Sequence, residues 1–118
     1  MRVSKFKTGK IGEDIAKKYL LQKGYKILEE NVLSKFGEID IVAQDKKILV
    51  IVEVRTRIGD SYGTPEESLG KKKLEKLKFN TMCYLAKIRW EKDYRIDAVC
   101  ITLCNKHSIK SINHHIAI

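Results

Sequence analysis

With 118 residues, 43% hydrophobic and 33% charged, the chain suits a single globular domain over residues 1–118 and is too short for two. It holds no apolar run as long as a membrane span and no apolar N-terminal signal segment, so we expect a cytoplasmic protein with no membrane partner. Its formal net charge of +9 is typical of nucleic-acid-binding proteins, although a basic surface that only aids solubility would carry the same charge.

The spacing of apolar residues predicts helices and strands in the order αβββαββ. In chain order these are a helix over Thr8–Lys23, strands over Tyr25–Val32, Gly37–Ala43 and Ile48–Arg57, a helix from Glu66 or Ser68 to Ile88, and strands over Tyr94–Leu103 and Ser108–Ile116. The short polar segment Asp45–Lys47 reads as a hairpin turn. The second helix should return the Tyr94 strand parallel to the strand that carries Glu53. This predicts an α/β fold with a mixed central sheet of about five strands flanked by helices.

Two carboxylates fall inside the apolar hairpin strands, Asp40 in the first and Glu53 in the second. Strand alternation places Glu38 beside Asp40, and it places Arg55 and Arg57 on the face of Glu53. The apolar face of the first strand would then hold Gly37, Ile39, Ile41 and Ala43. If the polar faces coincide, Asp40, Glu53 and Arg55 form a divalent-cation site with a positive group for phosphate. The alternative is an internal salt bridge from Arg55 to one of the acids.

Three further segments lie near this hairpin in the expected fold. Glu13 is on the rim of the apolar face of the first helix, where it either faces Asp40 and Glu53 or is simply solvated. The loop Ile58–Pro65 should lie at the mouth of the site, where it either contacts substrate or only connects elements. Lys71, Lys72 and Lys73 oppose the dipole of the second helix, which favours an anionic partner. Lys73 is the one nearest the apolar face and could reach the site.

The cysteines predict no disulfide framework, because their number is odd. A zinc site can be imagined from Cys100 and Cys104 together with His107, His114 and His115. Its spacing fits none of the usual zinc-ligand patterns, so buried, reduced thiols are the favoured interpretation of Cys83, Cys100 and Cys104.

Asp40, a hairpin, and then Glu53-Val54-Arg55 resemble the active-site signature of the restriction-endonuclease-like, or PD-(D/E)xK, nucleases. More closely, the chain is similar to the YraN-like family of predicted endonucleases, which resemble archaeal Holliday-junction resolvases. The resemblance extends over nearly the whole chain, at Gly9–Glu13, Ala16, Gly24-Tyr25, Asn31, Gly37–Asp40, Val52–Arg57, Lys73, Tyr84-Leu85 and Arg95–Asp97. One position departs from the family, which usually has Lys where this chain has Arg55.

The resemblance implies a restriction-endonuclease-like fold and a Mg²⁺- or Mn²⁺-dependent DNA endonuclease. Such an enzyme would select branched or duplex DNA by structure, and a resolvase-like enzyme needs two sites and hence a homodimer. The implied metal ligands are Glu13, Asp40 and Glu53, the catalytic residues are Asp40, Glu53, Arg55 and Lys73, and the DNA contacts are Arg55, Arg57, Lys71, Lys72 and Lys73. Arg55 cannot act as a base, because a guanidinium group stays protonated at any ordinary pH. The alternative is a catalytically weak or inert nucleic-acid-binding module on the same fold.

Overall fold

The computed structural model describes residues 5–59, 61, 63–105 and 107–118, without the side chains of residues 5–7. The elements are α1 (Lys5–Gln22), β1 (Lys26–Ser34), β2 (Gly37–Asp45), β3 (Ile48–Ile58), a 3₁₀ turn (Glu66–Ser68), α2 (Lys71–Ile88), β4 (Tyr94–Asn105) and β5 (Ser108–His115). The predicted order αβββαββ is therefore confirmed. Of the predicted loop Ile58–Pro65, the residues Asp60 and Tyr62 lie outside the described part of the chain.

The second helix begins later than the sequence pattern predicts. Glu66–Ser68 form only a 3₁₀ turn, and α2 starts at Lys71 after the extended residue Gly70. Gly is a poor helix former, so Gly70 separates the turn from the helix.

The strands form one mixed sheet in the order β1-β2-β3-β4-β5. All neighbours are antiparallel except β3 and β4, which run parallel with Glu53 opposite Ala98. The long connection through α2 makes this parallel pairing possible. The predicted mixed five-stranded sheet is confirmed.

Each face of the sheet is covered by one helix. The α1-side core joins Ala16 and Leu20 of α1 to Val50 and Val52 of β3. The α2-side core joins residues of α2 to the alternate positions of the same strand: Leu77, Tyr84 and Leu85 pack with Leu49 and Ile51. Among the described residues, neither helix is long and apolar enough to cross a membrane.

The alternation of β2 is broken at Asp40. Ile39 belongs to the α2-side core and Ile41 to the α1-side core, so the predicted common apolar face is wrong at Ile39. On β1, the residue opposite Asp40 is Asn31, which has a φ of +50°. Asn tolerates this left-handed conformation better than most residues. The two irregularities place the side chains of Asn31 and Asp40 beside α1.

A buried polar network holds the other end of the sheet. Asp97 is fully buried and accepts hydrogen bonds from Arg95 Nε at 3.0 Å and from the backbone N–H of Ala117 at 3.0 Å. His114 Nε2 lies 2.8 Å from the same carboxylate, and Arg95 also donates to Tyr25 Oη at 2.6 Å. These bonds stabilise the Asp97 carboxylate, whose burial would otherwise be costly. They also join β4 to β5 and to the residues that follow β5.

The segment after α2 contains Trp90. Its ring packs against the α2-side core, and its indole N–H donates to the carbonyl of Asp93 at 2.9 Å. Arg89 ends α2 in the left-handed conformation, and its N–H returns to the last turn of the helix.

Candidate functional site

Asp40 lies where β2 and β3 separate. The β2–β3 ladder runs from Asp45 opposite Ile48 to Ile41 opposite Val52. One residue further along, the Asp40 carboxylate takes the place of a backbone acceptor, with Oδ2 accepting the Val54 N–H at 2.8 Å. The carboxylate is therefore fixed between two strands, and it cannot swing away without leaving that N–H unsatisfied.

Asp40 and Glu53 form a close acidic pair. Burial first, and then the hydrogen bond with Glu53 and the charge of Glu53, raise the pKa of Asp40 to about 9. The Val54 N–H opposes this shift, and Glu38 adds to it. The Asp40 carboxyl therefore keeps its proton at neutral pH unless a cation binds beside it. The predicted meeting of Asp40 and Glu53 is therefore found in the structure.

Glu13 of α1 completes an acidic cluster with Asp40 and with a residue that the sequence-based site left out, Glu38. Carboxylate oxygens of the three lie within 4.8 Å of one another. Asn31 Nδ2 donates to both Glu13 and Glu38, each at 2.7 Å. Burial first, with the charges of Asp40 and Glu38, raises the pKa of Glu13 against the opposing hydrogen bond of Asn31.

Asn31 uses both amide hydrogens to hold this cluster, since an amide nitrogen carries only two. The alternation on β2 already placed Glu38 beside Asp40, so that signal was available in the sequence. For Asn31 no periodic signal exists, because its left-handed φ removes it from the strand pattern.

Gly12 determines how closely α1 approaches the sheet. A Cβ atom added at Gly12 would lie 1.8 Å from Thr56 Oγ1 and 2.9 Å from Thr56 Cβ. The helix backbone therefore rests directly on the Thr56 side chain of β3. This contact places Glu13, the next residue, at the acidic cluster.

Arg55 pairs with Glu53 and not with Asp40. Its Nη2 lies 3.2 Å from Glu53 Oε2, and the two side chains are 18% and 9% exposed. The predicted alternative of an internal salt bridge is thus present at Glu53. None of the ion pairs between described residues involves Asp40.

Two guanidinium donors on β3 have no acceptor among the described residues. The Nε–H groups of Arg55 and Arg57 are buried and unpartnered among the described residues. Buried donors of this kind usually have a partner, such as an ordered water or ion. Their position on the strand that carries Glu53 suits an anion beside the acids.

The lysines predicted to contact DNA lie on the first turn of α2. Lys71, Lys72 and Lys73 are all exposed, and that turn holds no acidic residue. None of the described contacts joins Lys73 to Asp40 or Glu53. Its predicted role at the acidic pair stays a prediction.

The cysteine and histidine residues do not form the zinc set that could be imagined from the sequence. His114 lies within hydrogen-bonding distance of Asp97, and Cys104 is exposed. Cys100 is 1% exposed, as expected for a buried thiol, whereas the expectation of burial is wrong for Cys104. Cys100 instead lies with Glu66 and His115, where Glu66 Oε2 and His115 Nε2 are 2.8 Å apart. Burial raises the pKa of the Cys100 thiol to about 12, so the thiol is un-ionised.

The fold and the site define an α/β protein with a cluster of acids between α1 and a split pair of strands. The family model described as Uncharacterised protein family UPF0102 matches residues 12–101, so the chain belongs to the UPF0102 family. The resemblance to YraN-like proteins is confirmed at the level of this family.

Several UPF0102 proteins are similar to the chain over most of its length. One of Thermodesulfovibrio yellowstonii is 43% identical over 99 residues, which are 84% of this chain and 88% of the relative. One of Persephonella marina is 46% identical over 104 residues, or 87% and 90% of the two chains. One of Clostridium botulinum is 40% identical over 111 residues, or 90% of each.

Proposed function

We propose that the protein is a metal-dependent DNA endonuclease with a restriction-endonuclease-like fold. The observation that carries this proposal is Asp40, a carboxylic acid fixed at the split between β2 and β3 beside Glu53, without a cation partner among the described residues. A structural acid in this place would be expected to hold an ion pair. The antiparallel β1–β3 meander followed by a parallel β4 also agrees with the expected fold.

The acids fit a divalent cation by their chemistry. Mg²⁺ prefers oxygen ligands, and Glu13, Asp40 and Glu53 would hold it, with Glu38 as an additional ligand. The carbonyl of Val54 is a further candidate. A bound cation would favour the ionised form of every acid in the cluster, which removes the cost of placing them together. When bound, Mg²⁺ or Mn²⁺ supplies an activated water and stabilises the leaving oxygen.

The chain's own cations would hold the phosphate. Arg55 stays protonated at any ordinary pH, so it binds and stabilises negative charge and does not transfer protons. The unpartnered Nε–H groups of Arg55 and Arg57 are donors that a phosphate oxygen would satisfy. Lys73 is proposed as the second positive group of the site, in place of the lysine that related nucleases carry at the position of Arg55.

DNA is the substrate that the charge of the molecule favours. The net charge is +9, and Lys71, Lys72 and Lys73 add positive charge at the N-terminus of α2, where the helix dipole is already positive. Selection of branched DNA and action as a homodimer rest on the resemblance to junction resolvases.

A second function is favoured by one contact. The ion pair between Arg55 and Glu53 neutralises one of the proposed metal ligands. An inert nucleic-acid-binding module would keep this pair and would bind DNA without cleaving it. In the endonuclease, Arg55 would leave Glu53 for the phosphate.

The test incubates the purified protein with linear duplex, single-stranded and four-way-junction DNA, with Mg²⁺, with Mn²⁺ or with chelator. The endonuclease proposal expects metal-dependent cleavage that Asp40→Asn and Glu53→Gln abolish, together with calorimetric binding of the metal. Both variants should keep the circular dichroism spectrum of the parent. Binding without cleavage of any of the three DNAs would support the inert module.

A further inference from the structure

We propose that an exposed aromatic pair, where the β1–β2 turn meets α2, binds an unstacked base of the DNA strand. The pair is Phe36, at the β1–β2 turn, and Phe79, on the outer face of α2; with Lys35, Lys72 and Lys76 it is here called the Phe36–Phe79 platform. This inference rests on the proposed function, and it identifies the substrate as DNA with unpaired or unstacked bases.

The two rings contact each other and still face solvent. Their centroids are 4.9 Å apart and their planes are 87° apart. Phe36 is 43% exposed and Phe79 is 55% exposed. They line an open depression of about 460 Å³ together with Lys72, Glu75 and Lys76. Solvent-exposed aromatic side chains are groups on which nucleobases stack.

Hydrogen bonds fix the turn that carries Phe36. Ser34 Oγ donates to Asn80 Oδ1 at 2.9 Å and accepts the Phe36 N–H at 3.1 Å. Asn80 is 4% exposed, so its side chain is held between α2 and the hairpin. The platform is therefore preorganised, which lowers the entropic cost of binding.

The charge around the rings selects a polyanion. Lys35 Nζ is 5.2 Å from the Phe36 ring centroid, and Lys72 and Lys76 line the depression with one acid, Glu75. A symmetric dimer through this face would bring the same basic patch of each copy together, and like charges would oppose it. A strand of DNA supplies both a base for the rings and phosphates for the lysines.

The position of the platform connects it to the acidic site. Phe36 precedes Glu38 by two residues and Asp40 by four. At about 3.3 Å per residue of extended chain, Phe36 lies within about 13 Å of Asp40 along β2. The acids lie on the α1 side of the sheet and Phe79 lies on the α2 side, so a strand that contacts both sites must pass around the β1–β2 end of the sheet. Bases in an intact duplex are stacked on one another, so a platform in this place favours branched, gapped or single-stranded DNA.

The experiment measures binding by fluorescence anisotropy at low salt with chelator present, so that no cleavage occurs. The probes are fluorescein-labelled oligothymidylate of about 16 nucleotides, long enough for a single binding site, and a duplex of the same length. Phe36→Leu and Phe79→Leu keep an apolar side chain and remove the ring. Phe36→Tyr and Phe79→Tyr keep the ring. Leu33→Ala is the control for an exposed apolar residue of the same hairpin, since Leu33 is 75% exposed.

Each Leu variant should lower the affinity for oligothymidylate about 10-fold and the affinity for duplex by less than about two-fold, because stacking on one ring is lost. The Tyr variants and Leu33→Ala should bind like the parent. The inference is overturned if the parent does not bind oligothymidylate or if the Leu variants bind it like the parent. It is overturned as well if the Leu substitutions lower the affinities for oligothymidylate and for duplex equally. It is also overturned if sedimentation finds a dimer that the Leu variants dissociate, because the face would then join two copies.

Failure of the inference and failure of the proposed function give different results. If the parent cleaves DNA and the Leu variants bind normally, the endonuclease stands and the platform is wrong. If no DNA is cleaved and the ring dependence of binding persists, the platform stands and the endonuclease is wrong.

Discussion

At the scale of single residues, the ionisation of Asp40 links the acidic site to the stability of the fold. The carboxyl is buried beside Glu53, and its pKa is raised from 3.8 to about 9. Between these values the folded protein keeps a proton that the unfolded chain has released. Stability from this group is therefore complete below about pH 4 and is lost as the pH rises toward about 9.

Asp40→Asn removes this titration and keeps the size of the side chain. We expect the free energy of unfolding of the metal-free parent to fall relative to the variant between pH 5 and pH 8, by at most about 1.4 kcal/mol per pH unit. Urea denaturation of both proteins in chelator at several pH values measures the difference. Addition of Mg²⁺ at pH 8 should stabilise the parent and leave Asp40→Asn unchanged. A difference that does not vary with pH would mean that Asp40 is ionised throughout.

Arg55 distinguishes the two proposed functions. If it only stabilises charge in a working nuclease, Arg55→Lys should retain or raise the cleavage rate. Arg55→Ala should lose about 10²-fold or more, the effect of removing one preorganised electrostatic contact. Initial cleavage rates on junction DNA with Mg²⁺ measure both changes.

Lys73→Ala is the matched comparison for Arg55→Ala. If Lys73 supplies the lysine of the site, its loss should be the more damaging of the two, and the double variant should be non-additive. Unimpaired cleavage by both single variants would remove both residues from the site and leave Arg57 or the metal to stabilise the charge.

The sequence predicted part of this site. Asp40 and Glu53 could be paired because each interrupts a β-branched run, and strand alternation then placed Arg55 with Glu53. Asn31 could not be found in this way. Its role depends on its left-handed φ and on the break in side-chain alternation at Asp40 of β2. Neither feature can be predicted from hydrophobic periodicity. The choice of Arg55 between Asp40 and Glu53 depends on side-chain geometry within a few ångströms.

At the scale of elements, the contact of α1 with β3 sets the geometry of the acids. Gly12→Ala would place a methyl group against Thr56, and Ala is otherwise the better helix former. We expect the clash to dominate and to destabilise the fold by about 1–3 kcal/mol, as overpacking usually does. Chemical denaturation measures this change.

Gly9→Ala is the control within the same helix, since no atom of the described part of the chain lies within 4 Å of a Cβ atom at Gly9. It should stabilise the protein by about 0.5–1 kcal/mol through helix propensity alone. Gly12→Ala should also weaken metal binding, because it displaces Glu13 from Asp40. Equal effects of the two substitutions would show that α1 has room to move over Thr56.

The elements themselves were mostly predictable, because their periodic patterns are long. The start of α2 was not, since the acidic turn Glu66–Ser68 satisfies helix-start rules until Gly70 interrupts it. The network around Asp97 could not be predicted from the sequence pattern, because its partners lie just before β1, in β4 and β5, and just after β5. They meet only after the sheet has formed.

At the scale of the whole molecule, the positive charge should make DNA binding depend on salt and be insensitive to sequence. Log affinity for duplex DNA should fall with log salt concentration at roughly −0.9 per phosphate contacted. Replacing Lys71, Lys72 and Lys73 together with Gln should flatten this slope. Binding titrations at several salt concentrations measure it.

The control is a second triple variant, in which Lys26, Lys47 and Lys92 are replaced with Gln. These lysines are exposed at the opposite end of the sheet, and the change in net charge is the same. It should leave the slope nearly unchanged. If both triple variants flatten the slope equally, the charge acts through the whole molecule and the first turn of α2 is not a specific contact. No binding at low salt would remove DNA as the partner.

Trp90, the one tryptophan of the chain, gives the protein an optical probe of a single side. Its indole lies against the α2-side core. Its fluorescence emission should therefore change when α2 leaves the sheet and should not respond to changes at α1 or at the acidic cluster. Far-ultraviolet circular dichroism averages over every element. Coincident transitions of the two signals in urea would mean that both sides of the sheet unfold as one cooperative unit. An earlier transition by circular dichroism would mean that α1 can leave the sheet while the tryptophan is still packed.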